Sequence, residues 1–113
     1  MLTALRKFEK NGDTLEIFYD EIEDSGEYTE GTVVCTYTNS DKTVKISIEV
    51  CGEQNENEDG ELVDNNWFEA LLYYPLESNP KEYVFEYSQE IDEDISSMND
   101  EELFDYLTNL FAD

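Results

Sequence analysis

The sequence predicts a single α+β domain over residues 1–113, in which an antiparallel sheet of about six strands carries a C-terminal helix packed on one face. Three pairs of segments rich in β-branched or aromatic residues are each joined by turn-forming residues, a pattern typical of three β-hairpins. The C-terminal segment instead repeats apolar side chains at helical spacing. At 113 residues the chain is long enough to bury about two-thirds of its unfolded surface in one core.

The N-terminal hairpin is predicted from Asn11-Gly12, the preferred pair of a type I′ turn. This turn would place Lys10 opposite Asp13, Phe8 opposite Leu15 and Lys7 opposite Glu16. The alternative is a first helix over residues 2–10, with three apolar side chains on one face and Gly12 just beyond its end.

The central hairpin is predicted over residues 32–51, TVVCTYTNSDKTVKISIEVC. A two-residue turn at Ser40-Asp41 would form one apolar face from three pairs: Tyr37 with Val44, Cys35 with Ile46, and Val33 with Ile48. The opposite face is polar except for Val34, so we expect one side of the sheet to face water. Cys51 falls on that polar face and Cys35 on the apolar face, which predicts no disulfide and favours a reduced, cytoplasmic protein.

The third hairpin is predicted from two aromatic segments, residues 67–74 and 82–88, joined by a link that contains an Asn79-Pro80 turn. The first of these segments is also compatible with a two-turn helix, because periodicity does not separate the two structures in a short apolar run. Residues 51–66, between the second and third hairpins, are polar and acidic and are expected to form a connection outside the core.

The C-terminal helix has complete start signals. Asn99 is a capping residue, and Glu102 lies at the position that closes a capping box. An apolar stripe follows at helical spacing and is expected to pack on the sheet: Leu103, Phe104, Leu107, Leu110 and Phe111.

Charge is the most informative property for function, with 30 Asp and Glu, six Lys and Arg, no His and a formal net charge of −24. Such a chain repels nucleic acids and anionic membranes and attracts a basic partner. We therefore predict a basic nucleic-acid-binding protein, such as a nuclease effector, as the partner. The predicted contact residues are sixteen carboxylates in three stretches: Asp20, Glu21, Glu23, Asp24, Glu27 and Glu30; Glu53, Glu56, Glu58, Asp59, Glu61 and Asp64; Glu90, Asp92, Glu93 and Asp94.

Catalytic and metal-binding patterns are weak in this sequence. The absence of His and the single Arg remove the usual general base and the guanidinium clamp for phosphoryl groups, so we predict no enzymatic activity. Residues 55–66 approach the EF-hand pattern, but Asn55 stands at the first ligand position and Asn66 at that of the bidentate Glu. We predict no dedicated metal site and no cofactor, and at most weak binding of Ca²⁺ or Mg²⁺.

The three acidic stretches are DEIEDSGEYTEG, GEQNENEDGELVD and QEIDEDISSMNDEE, interleaved with a Tyr- and Phe-rich antiparallel pattern. As a class, this chain resembles the small acidic inhibitors made by phages and plasmids, which include anti-CRISPR proteins, anti-restriction proteins and uracil-DNA-glycosylase inhibitors. The resemblance implies a DNA mimic that occupies the nucleic-acid-binding cleft of an effector, in the host cytoplasm if a phage encodes it. A net charge of 24 equals that of about 40 Å of duplex, against an expected domain diameter of roughly 35 Å.

Two other interpretations of the acidity stay open. An immunity protein or antitoxin that masks a basic nuclease toxin would use the same electrostatics. Alternatively, the charge is a solvation device with no partner. The apolar helix stripe and the aromatic sheet also leave a homodimer open. No apolar run at the N-terminus has the form of a secretion signal, because Arg6-Lys7 interrupts it.

Overall fold

The computed structural model of the protein describes residues 3–111 and confirms the predicted class, a six-stranded antiparallel sheet with one C-terminal helix. The elements in chain order are β1 (Arg6–Lys10), β2 (Asp13–Ile17), a 3₁₀ turn (Ser25–Glu27), β3 (Val33–Thr38), β4 (Lys45–Glu56), β5 (Leu62–Pro75), β6 (Tyr83–Glu90), a second 3₁₀ turn (Ile95–Ser97) and α1 (Asp100–Leu110). Each strand pairs with its sequence neighbours in the order β1-β2-β3-β4-β5-β6.

The N-terminal hairpin has the predicted register, so the alternative of a first helix is wrong for residues 6–10. Phe8 lies opposite Leu15, with Lys10 opposite Asp13 at the turn. Asn11 and Gly12 both have positive φ angles, 55° and 87°, as a type I′ turn requires. Local turn chemistry and cross-strand pairing therefore agree at this hairpin.

The central hairpin forms where predicted, but its register is displaced by two residues. Tyr37 pairs with Ile46 instead of Val44, and Cys35 pairs with Ile48. The turn is wider than two residues because Asn39 closes it: its Oδ1 accepts the backbone N–H groups of Thr43 and Val44. A displacement by an even number of residues leaves the side chains from Cys35 to Tyr37 on their predicted faces.

Val34 was predicted to be the one apolar residue on the polar face of the central hairpin. The structure shows that this placement is wrong. Val33 pairs with Glu49 while Cys35 pairs with Ile48, so a β-bulge leaves Val34 without a partner on β4. Val34 is fully buried and belongs to the core cluster. The bulge thus buries Val34 and pairs Val33 with Glu49, a residue of the polar face.

The largest difference from prediction is in residues 51–66, which were expected to form an irregular connection. They continue β4 and β5 as a regular two-stranded ribbon, with Gly52 opposite Asn66 and Glu56 opposite Leu62. We call residues 52–66 the arm. Its pairing comes from backbone hydrogen bonds, which do not require apolar side chains, and its residues 53–65 are all exposed. The domain measures 52 × 33 × 33 Å, longer than the roughly 35 Å expected for a compact chain.

The third hairpin is confirmed: residues 67–74 lie within β5 and pair with β6. The chain turns between them through Leu76 and Asn79, whose backbone groups hydrogen bond across the link. The alternative of a two-turn helix for residues 67–74 is therefore wrong.

The core lies between α1 and one face of the sheet. The Phe104 ring packs edge-on against Phe8 and Tyr37, and Leu103 and Leu107 are buried beside it. The predicted capping box is present, because the Asn99 side chain accepts the N–H of Glu102 and the Glu102 carboxylate accepts the N–H of Asn99. We call the sheet face under α1 the helix side and the other face the open side.

Candidate functional site

The meander topology brings the three acidic stretches to one end of the sheet. A single row of backbone hydrogen bonds crosses that end, from Gly31 to Val50 and from Ile91 to Phe68, while Val50 and Phe68 pair directly. Beyond this row lie residues 20–30, the arm and residues 92–94, and Glu90 lies next to the row inside the sheet, opposite Glu69. All sixteen predicted contact carboxylates belong to exposed residues in or next to this region. We call this region the acidic end.

Two of the stretches are held against each other. Ser25 donates its hydroxyl to the backbone carbonyl of Asn66, at 2.9 Å, and the Asn66 carboxamide donates to the carbonyl of Tyr28, at 2.8 Å. A cleft of about 630 Å³ lies between the β2–β3 loop and the arm, and its acidic lining residues are Glu30, Glu53 and Asp64. The tertiary structure therefore combines carboxylates from two distant segments into one surface.

The tip of the arm is a turn organised by Asn57. Its Oδ1 accepts the N–H groups of Asp59 and Glu61, and Gly60 has a φ of +79°. The segment with EF-hand resemblance is thus a β-hairpin tip, not a loop between two helices. Within residues 3–111, no group of three or more His, Cys, Asp or Glu side chains is arranged to hold a metal ion.

The third stretch has a mixed role. Asp94 caps the second 3₁₀ turn by accepting the N–H of Ser96, so one of the predicted contact residues also has a local structural function. Asp92 and Glu93 lie near the Tyr106 hydroxyl and, together with the larger effect of burial, raise the pKa of Tyr106. These two carboxylates stay exposed beside the helix.

Arg6 lies at the border of the acidic end, where its guanidinium joins three elements. It donates to the Asp100 carboxylate at 3.0 Å and to the backbone carbonyls of Tyr19 and Asp20. The hydrogen bond to Asp100 raises the pKa of Arg6 further. Arg6 therefore ties β1, the start of the β2–β3 loop and the first turn of α1 together, and its charge is already compensated.

Most of the other basic side chains lie at the opposite end of the sheet. Lys10, Lys42 and Lys81 are in or next to the three connections at that end, residues 11–12, 39–44 and 76–82. Lys45 begins β4. Lys10 contacts Asp105 and Glu101 of α1, at 3.4 and 3.8 Å, and Lys45 lies over the rings of Tyr73 and Tyr83. The molecule is therefore electrically polar along the strand direction, with an uncompensated negative end.

The sequence prediction missed two carboxylates on the open side. Glu49, Glu69 and Glu90 are register neighbours on β4, β5 and β6, an arrangement of like charges that is destabilising when it has no partners. Tyr73 donates to Glu49 at 3.0 Å. Hydrogen bonds from the Cys51 thiol and the Trp67 indole lower the pKa of Glu69. The alternation of Glu with aromatic residues is visible in the sequence. The alignment of these three glutamates across neighbouring strands is not.

Within residues 3–111, no helix has the length and hydropathy needed to cross a membrane. Comparisons with protein-family models, with curated protein sequences and with solved structures find no match to this chain.

Proposed function

We propose that this protein is an inhibitor that binds the basic nucleic-acid-binding surface of an effector, such as a nuclease, and prevents it from engaging DNA or RNA. One observation carries the proposal: sixteen exposed carboxylates from three separate segments lie at one end of the molecule, with no basic residue among those segments. Proteins that bind nucleic acids present rows of Lys and Arg to phosphates, and carboxylates are charge-complementary to the same rows.

The shape of the acidic end supports a mimic of nucleic-acid charge. The domain is 52 Å long, comparable with the roughly 40 Å of duplex that carries the same net charge. The arm is a narrow two-stranded ribbon of exposed residues that a cleft can accommodate. The same charge repels nucleic acids and anionic membranes, so the proposed partner is a protein and the proposed role is binding, not catalysis.

Two hydrogen bonds also hold part of the acidic end together before any partner arrives. The hydrogen bonds of Ser25 and Asn66 join the β2–β3 loop to the arm, which reduces the conformational entropy lost on binding. Charged groups on such a surface accelerate encounter with a cationic protein, and salt weakens this effect. Cys35 and Cys51 form no disulfide, and we propose the host cytoplasm as the compartment in which the inhibitor acts.

The test compares two charge-reversal variants with the same change in net charge. The arm variant replaces Glu56, Glu58 and Asp59 with Lys. The control variant replaces Asp41, Glu77 and Glu82, at the opposite end, with Lys. Each protein is used as bait in a lysate of cells that encode it, with washes at low and high salt and competition by duplex DNA. The nuclease activity of any recovered partner is then titrated with inhibitor.

The proposal expects the unmodified protein and the control to capture a nucleic-acid enzyme that duplex DNA displaces, and to inhibit its activity. The arm variant should bind at least tenfold more weakly. A captured nuclease that DNA does not displace would replace the mimic with an immunity or antitoxin role. Equal binding by both variants, or no cationic partner at low salt, would overturn the proposal and assign the acidity to solvation.

A further inference from the structure

The strand β6 forms one edge of the sheet and differs from the opposite edge, β1. β1 has five residues, and both Arg6 and Lys10 connect it to α1. β6 has eight residues and, within residues 3–111, pairs only with β5. An edge strand presents a row of backbone N–H and C=O groups that can pair with another chain, and charged residues commonly protect such edges. β6 is the less protected edge.

The unpaired donors of β6 can be assigned from the ladder. Ile91 donates its N–H to the carbonyl of Phe68 on β5. Successive residues of an antiparallel strand point their backbone groups to alternate sides, so the N–H groups of Ser88 and Glu90 point away from β5. These two donors are available to an added strand.

β6 also exposes apolar side chains on both faces. On the helix side, Val84 is 45% exposed and Tyr87 is 54% exposed, because α1 lies over Phe8 and Tyr37. Phe111, just after α1, packs edge-on against Tyr87. On the open side, Phe85 is 50% exposed beside Tyr73. Adjacent exposed apolar side chains on both faces of one edge are typical of an interaction surface.

The charges around β6 indicate which occupant fits. The strand itself contains two ionisable groups that carry charge at neutral pH, Glu86 and Glu90, and Asp92 and Glu93 follow it. Glu86 is the extra residue of a β-bulge, exposed and without a partner on β5. A second copy at this edge would bring together two molecules of net charge −24, with Glu86 and Glu90 of both copies on adjoining strands. The charge therefore favours a cationic strand over a second copy.

We propose that β6 is a docking edge for an extended segment of a cationic protein, with alternating apolar and Lys or Arg side chains, which adds a seventh strand to the sheet. The inference rests on the proposed function in that the effector supplies this segment. Docking at β6 would add a contact that salt does not remove, because backbone hydrogen bonds and apolar burial give the affinity in strand addition. Charge sets the preference for a cationic segment.

The probe is a synthetic octapeptide of alternating Lys and Val, compared with a peptide of equal charge in which two Val are replaced by Pro. Proline lacks the N–H needed for the ladder, so the second peptide reports charge attraction alone. Affinities are measured at 500 mM NaCl, where exposed charges are strongly screened. Two double variants are tested. The β6 variant combines Val84→Lys and Tyr87→Lys. The matched control combines Leu62→Lys and Val63→Lys, at two exposed apolar residues of the arm.

The proposal expects the Lys-Val peptide to bind at least tenfold more tightly than the Pro peptide, and the β6 variant but not the arm control to lose that difference. Independently of any variant, hydrogen exchange at the amides of Ser88 and Glu90 should slow when the Lys-Val peptide binds. Equal affinity of both peptides with unchanged exchange would overturn the inference.

Two further results separate this inference from the proposed function. An effector captured through the acidic end that binds the β6 variant as tightly as the unmodified protein at 500 mM NaCl would overturn the docking edge and leave the inhibitor role in place. A dimer of the free protein in analytical ultracentrifugation, dissociated by the β6 variant, would replace the cationic strand with a second copy.

Discussion

Gly52 on β4 lies directly opposite Asn66 on β5, and the Asn66 side chain occupies the space that a Cβ at position 52 would need. From this position the Asn66 carboxamide reaches the carbonyl of Tyr28 and holds the β2–β3 loop against the arm. The absence of a side chain at Gly52 is therefore what allows two of the three acidic stretches to meet.

We expect Gly52→Ala to lower the free energy of unfolding by about 1 kcal/mol, because the added methyl group displaces the Asn66 side chain and removes its hydrogen bond to the carbonyl of Tyr28. Amide hydrogen exchange in residues 27–31 should accelerate. Gly26→Ala is the matched control, since a Cβ there has no atom within 4 Å, and its effect should stay within about 0.5 kcal/mol. Equal melting temperatures and equal exchange in the two variants would show that the contact is not needed.

Arg6→Gln should lower the free energy of unfolding by about 2 kcal/mol, because it leaves Asp100 and the carbonyls of Tyr19 and Asp20 without their donor. Lys7→Gln removes the same charge from an exposed position on the neighbouring residue and should change stability by less than about 0.5 kcal/mol. Urea denaturation measures both. A loss shared equally by the two variants would assign the effect to net charge and not to the Arg6 contacts.

Stability should fall as the pH rises from about 9 towards 12. Burial raises the pKa of Cys35 and of Cys51 to about 12, and the same cause raises the pKa of Tyr37 and Tyr73 to about 12. In the unfolded chain these groups lose their protons near their ordinary pKa values of 9.0 and 10.0, while the folded chain keeps them. The stability that they contribute is therefore complete below pH 9 and is lost as the pH increases.

Melting temperatures between pH 7 and pH 11 measure this decline. Cys51→Ser removes one of the four groups and keeps a hydroxyl that can donate to Glu69, so its decline should be shallower. A melting temperature that stays constant up to pH 11 would contradict the prediction.

Added NaCl should stabilise the protein, because 24 net negative charges repel one another and this repulsion opposes the compact state. The screening length shortens from about 10 Å at 0.1 M to about 3 Å at 1 M. Replacing Glu56, Glu58 and Asp59 with Gln, Gln and Asn should raise the melting temperature at low salt and have a smaller effect at 1 M. A melting temperature that falls with salt in both proteins would indicate that the attractive pairs of Arg6 and Lys10 outweigh the repulsion.

Local signals in the sequence were sufficient wherever neighbouring residues determine the structure. The Asn11-Gly12 turn has the predicted register and the Asn99 capping box is present, because each is formed within a few residues of the chain. The apolar stripe of α1 and the strand over residues 67–74 were also predicted correctly. The exposure of all sixteen predicted contact carboxylates is expected from their charge alone.

Only the tertiary structure decided how these pieces are aligned. The two-residue displacement at Tyr37 depends on the side chain of Asn39, and the burial of Val34 depends on a bulge. Neither is visible in the alternation of apolar and polar residues along a strand. The arm is regular because two strands satisfy each other's backbone groups, so its polar composition did not indicate its structure. Composition and short-range chemistry thus determined the class, the Asn11-Gly12 turn, the start of α1 and the negative charge of this protein. The meeting of the acidic stretches at one end was decided by strand pairing between residues far apart in the chain, because long-range backbone hydrogen bonds leave no local trace in the sequence.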